Sequence, residues 1–89
     1  MKVEVLDQAL GPYWPFERIE VVDHPVASNL DAMHREWDLG RLSARRAALI
    51  SKRPGNPKEA RTLRARVRRV ERAMKTIQGH LAVWKVQQS

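Results

Sequence analysis

The sequence predicts a mainly α (α+β) fold: a short N-terminal β-hairpin packed on a long antiparallel α-helical hairpin with coiled-coil-like heptads. Three observations carry that expectation. Leu63, Val67, Val70, Met74, Ile77, Leu81 and Trp84 alternate steps of four and three through three heptads, the spacing of one helical face. Lys52-Arg53-Pro54-Gly55-Asn56-Pro57 punctuates the chain between two helical stretches, because a proline stops the first and an Asn-Pro pair caps and starts the second. Val3-Glu4-Val5-Leu6 and Arg18-Ile19-Glu20-Val21-Val22 are short, partly alternating and β-branched, as strands are.

Taken in chain order, residues 1–24 form the strand pair and the loop between its strands. Gly11-Pro12-Tyr13-Trp14-Pro15-Phe16 contains two prolines and a glycine, which prevent regular structure. A two-stranded hairpin is only marginally stable alone, so it must lean on the helices. Ser28 followed by Asp31 is a capping-box variant and opens the first helix, 28–52. Leu30, Met33, Trp37, Gly40, Ala44 and Ala47 step by three and four and are expected to face the second helix. Gly40 costs about 1 kcal/mol against alanine, which leaves room for a kink or break near Leu39-Gly40. Residues 53–56 make the turn. The second helix, 57–88, begins with Pro57 after Asn56, and Glu59 completes an Asn-x-x-Glu cap.

Two helices joined by a tight turn run antiparallel. The stripes match when paired residue numbers add to 114, setting Leu30 against Trp84 and Ala47 against Val67, or to 107, one heptad shorter. Leu39, Leu42, Leu49 and Ile50 fall off the stripe. They argue for a second apolar surface and hence a homodimer. A different partition, with a strand at 18–22 and helices at 28–39 and 43–52, resembles a ribbon-helix-helix order. Glu20 among strand residues that would read DNA counts against it.

A chain of 89 residues makes one domain with a small core. With no cysteine, neither a disulfide framework nor a thiolate zinc site holds it together. No stretch has the apolar length of a membrane span or signal peptide, and a cytoplasmic protein without membrane partners is expected.

The net charge is +7, unevenly spread. Residues 41–75 carry thirteen lysines and arginines against Glu59 and Glu71, a net +11, while the remaining positions carry four against eight acids, a net −4. Between Arg61 and Lys75 arginine outnumbers lysine six to one, which suits bidentate phosphate or carboxylate recognition. The candidate nucleic-acid or anion site is therefore Arg45, Arg46, Lys52, Arg53, Lys58, Arg61, Arg64, Arg68, Arg72 and Lys75. Tyr13, Trp14 and Phe16 form a second candidate, an aromatic patch for a protein partner, since the acids around that loop would repel phosphate.

His24, His34 and His80 show no ligand spacing beyond His34 and Asp38 on one helical turn, and a metal site needs three or four converging donors. No nucleophile elbow, phosphate-cradling glycine loop or embedded carboxylate pair occurs. The expectation is a non-enzyme without cofactor or metal: a small basic nucleic-acid-binding or regulatory protein that contacts the phosphate backbone. The alternative is an inhibitor or adaptor presenting the same basic hairpin to an acidic protein surface.

Overall fold

The computed structural model of the chain describes residues 2–6 and 18–88. Strands β1 (Lys2–Leu6) and β2 (Arg18–Val22) pair antiparallel, Lys2 opposite Val22 and Glu4 opposite Glu20. Two helices follow and pack against one another, α1 (Asn29–Ser51) and α2 (Pro57–Gln88). Both strands lie against α2. Tyr13, Trp14 and Phe16 fall outside the described residues.

Local chemistry sets the helix ends. Ser28 sits in extended backbone (φ −159°, ψ 168°), and its hydroxyl accepts the Asp31 N–H at 3.1 Å. Asp31 reaches back to accept the Ala27 N–H at 2.9 Å, completing the reciprocal cap. At the far end Lys52 leaves the helix with its N–H on the Leu49 carbonyl. The Asn56 side chain then accepts the Glu59 N–H at 2.8 Å, and the Glu59 carboxylate accepts the Gly55 N–H at 2.6 Å. This second reciprocal cap starts α2 within six residues of the end of α1. With 32 residues at about 1.5 Å each, α2 accounts for the 49 Å length of the molecule.

The core lies between the helices and under β2: Val21, Val26, Leu42, Leu49, Val70, Ala73, Ile77 and Leu81, with Leu39, Leu63, Val67, Met74 and Trp84 packed at its margin. The face of α2 is thus the one its heptads predict. The face of α1 is not. Leu30, Met33 and Trp37 are 61%, 64% and 68% exposed, and Gly40, Ala44 and Ala47 are exposed as well. The buried side of α1 is Arg35, Leu42, Arg45 and Leu49.

The reversal has a physical cause. Each of the two stripes repeats every three to four residues, and at 100° per residue they lie on opposite sides of α1. Periodicity alone does not say which side turns inward. Towards the turn, Leu42 and Leu49 bury aliphatic surface where the other stripe has only Gly40, Ala44 and Ala47; at the open end Arg35 lies inside, held by its hydrogen bonds, and Leu30, Met33 and Trp37 stay outside. The residues assigned from sequence to a dimer surface therefore belong to the fold, with Ile50 alone remaining exposed.

Arg46 pairs with Glu71 at 3.0 Å and Glu36 with Lys85 at 3.5 Å across the helix pair. No break occurs at Gly40, through which α1 runs continuously. The separate helices of the ribbon-helix-helix partition are thereby excluded. Among the described residues, no helix is long and apolar enough to cross a membrane.

Candidate nucleic-acid interface

The outer side of α2 is built by the same repeat that builds its core. At 100° per residue, Arg61, Arg64, Arg68, Arg72 and Lys75 fall within about 80° of one another, opposite Val70 and Ile77. All five are exposed. They span fourteen steps of α2, roughly 21 Å. Among the described residues none of the five forms an ion pair. Glu71, the single acid among them, is taken by Arg46 of α1, whose Nε donates to its carboxylate at 3.0 Å. Arg68, Arg72 and Lys75 share a shallow groove of about 530 Å³ with Ala65 and Glu71.

The other predicted site residues distribute differently. Lys52, Arg53 and Lys58 are exposed at the turn, continuing the positive surface around the end of the helix pair. Arg46 is half-buried and engaged with Glu71. Arg45 is 0% exposed and lies wholly in the interior, so it cannot reach an external anion and does not belong to the site. The discrepancy follows from that of the α1 face: with the helix turned by half a revolution, a position read as outward becomes inward.

Beside the stripe, at the turn, Leu49, Ile50, Ala60, Leu63 and Val67 line a cleft of about 660 Å³ that is also lined by Lys52, Arg64, Arg68 and Glu71. Periodicity does not reveal this cleft, because it places Leu49 and Ile50 on a separate surface from Leu63 and Val67. Neighbouring cationic and apolar groups make it amphipathic, unlike the purely polar stripe above it.

At the opposite end a second arginine is buried for a different reason. Arg35, 7% exposed, donates from Nε and Nη2 to the two carboxylate oxygens of Asp31, each at 3.1 Å. Its Nη1 donates to the His24 carbonyl at 2.7 Å and Nη2 to the Pro25 carbonyl at 3.2 Å. A planar five-donor group is suited to such a set, and it fastens the 23–27 segment onto α1. The Ala27 N–H and the Arg35 guanidinium hold the Asp31 carboxyl below its ordinary value of 3.8, because both stabilise the anion. His80 Nε2 lies 3.1 Å from Asp23 Oδ1, joining the same segment to α2. The sequence signal for this clamp is the Asp31/Arg35 spacing of four.

Among the described residues no group of three His, Cys, Asp or Glu side chains converges as a metal site would require. Comparison with protein-family models, with curated proteins and with solved structures finds no match to this chain.

Proposed function

We propose that this chain is a small, basic, non-catalytic nucleic-acid-binding protein whose α2 stripe contacts the phosphate backbone. In this reading the two helices act as an antiparallel hairpin with coiled-coil-like heptads, a stiff arm whose turn end is positive. The observation that supports it is the row Arg61, Arg64, Arg68, Arg72 and Lys75, exposed and without ion-pair partners among the described residues. A helix that merely needs solubility interleaves both signs of charge. Over roughly 21 Å, one strand of a duplex presents about six phosphates, a number well matched to five cations.

The decisive measurement is a fluorescence-anisotropy titration of labelled duplex and single-stranded DNA and RNA across a salt series. Five phosphate contacts on duplex DNA predict a slope of log K against log[salt] of about −4.5. Absence of binding to any of the four nucleic acids at low salt rejects the reading.

The second reading, an inhibitor or adaptor that seats on an acidic protein surface, draws support from the cleft. Its floor of Leu49, Ile50, Leu63 and Val67 offers nothing to a phosphate, yet would receive an apolar side chain flanked by carboxylates. That reading predicts no nucleic-acid affinity at physiological salt and a stoichiometric partner lost on Leu63→Asp and on Arg64→Ala alike.

A further inference from the structure

An apolar stripe on the outer face of α1, Leu30, Met33, Trp37, Gly40, Ala44 and Ala47, runs roughly 26 Å with the charged residues Glu36 and Arg41 at its edges. An outward helix face is ordinarily polar, and contiguous exposed apolar patches mark interaction surfaces. Arg41 lies at its edge, its guanidinium 5.7 Å from the centre of the Trp37 ring, leaving most of the indole uncovered. We propose that a second copy of this chain covers this face, its α1 running antiparallel to the first about a two-fold axis near residues 38 and 39.

Two features select that occupant and that direction. The first is charge. Residues 41–75 carry a net +11, whereas 18–40 carry Arg18 and Arg35 against five acids, a net −3. The turn end of the molecule is thus positive and the open end of α1 negative. Antiparallel association sets the positive end of each copy beside the negative end of the other, while a parallel pair would bring two strongly positive ends together. The second is size. About the proposed axis Leu30 meets Ala47 of the partner subunit, Met33 meets the partner's Ala44, and Trp37 meets the partner's Gly40. Each large side chain faces a small one, so the layers are of similar width, as close packing of facing helices requires. A Cβ placed on Gly40 meets nothing within 4 Å in the single chain, so the position leaves open space for the partner's indole. In a parallel pair Trp37 would meet the same residue of its partner and Gly40 likewise, a bulge next to a void.

The resulting assembly is a four-helix arrangement in which both α2 stripes face outward on opposite sides. Its existence is independent of what those stripes bind, and it is tested with nucleic acid absent.

The experiment is sedimentation equilibrium on the full chain over a concentration series, with Trp37→Glu and Met33→Glu compared. Twice the chain mass is expected for the parent protein, and each variant is expected to raise the dissociation constant at least about 30-fold. Because these side chains are outside the core, unchanged far-ultraviolet circular dichroism separates lost association from lost folding. Direction is read by disulfide formation, for which the cysteine-free sequence is convenient. Leu30→Cys and Ala47→Cys proteins, mixed and oxidised, should give the mixed disulfide, whereas neither alone should cross-link. A monomeric parent protein at 100 µM overturns the proposal, as does a dimer indifferent to both glutamate variants. A Leu30→Cys homodisulfide overturns the antiparallel arrangement. A monomer whose Trp37 emission shifts to the blue on adding anionic vesicles, judged against Trp37→Phe, assigns the face to lipid and overturns it too.

Discussion

Both helices bury one side in the shared core and turn the other outward, yet their outer sides are chemically opposite. On α2 the outward positions are Arg61, Arg64, Arg68, Arg72 and Lys75; on α1 they are Leu30, Met33, Trp37, Gly40, Ala44 and Ala47. Water solvates the first set and rejects the second. A two-helix unit that needed only to fold would carry mixed charges on both. Under the two proposals made above, the outer sides would meet different partners, one found through charge and one through surface burial.

The largest effect expected is on the charged side. Combining Arg64→Ala, Arg68→Ala and Arg72→Ala should weaken duplex binding by two to three orders of magnitude at 0.1 M salt and make the salt slope shallower by about 2.7. Thermal unfolding should be nearly unchanged, since these side chains form no ion pairs among the described residues. Equal affinities for parent and variant would erase the distinction between the two outer sides.

Second in size is the contrast across α1 itself. Leu42→Ala removes a wholly buried side chain and should cost about 2–5 kcal/mol in denaturant titration. Leu30→Ala, at an exposed position of the same helix, should cost less than about 0.5 kcal/mol when measured below the dimer dissociation constant. A reversed order would mean that the stripe expected from the sequence is the true inner face.

These same residues show how much of the fold and site was legible. The extent of both helices and both reciprocal caps follow from short-range chemistry: Ser28 with Asp31, and Asn56 with Glu59. The inner face of α2 was equally plain, because its one apolar stripe stands opposite an arginine stripe. α1 has two stripes, and the correct one contains Arg35 and Arg45, residue types almost never fully buried unless paired. Periodicity and charge favour the stripe free of charge, whereas the structure buries the other. What makes Arg35 acceptable inside is a set of acceptors from Asp31, His24 and Pro25, two of which are backbone carbonyls placed by tertiary structure. Arg61, Arg64, Arg68, Arg72 and Lys75 are exposed and Arg45 is buried, since the former depend on the orientation of α2 and the latter on that of α1.

The Arg35 clamp gives a third, smaller effect. Arg35→Met should cost about 1–3 kcal/mol, the range for stranding polar partners, and Arg35→Lys should recover only part of it, because a point charge cannot span both Asp31 oxygens. The pH dependence has a definite sign. The Asp31 carboxyl is held low in the folded state, so its contribution is complete above the unfolded value near 3.8 and is lost as pH falls through the folded value. Urea midpoints measured from pH 6 to 2.5 should fall more steeply for the parent protein than for Asp31→Asn. Parallel curves would remove Asp31 from the clamp.

The finest distinction uses two glycines, one on each outer side. A methyl group added at Gly40 of α1 or at Gly79 of α2 would meet nothing within 4 Å, and alanine is the better helix former by about 1 kcal/mol. Gly79→Ala should therefore stabilise the protein by about that amount and leave its association state unchanged. Gly40→Ala should give the same gain in the isolated chain, but its methyl group occupies the space that the partner's indole requires. Sedimentation should then show weaker self-association at Gly40→Ala despite the more stable helix. Two identical substitutions on two helices would give one gain in common and one loss that belongs to α1, which is the behaviour of a surface whose shape matters on one side and only whose charge matters on the other.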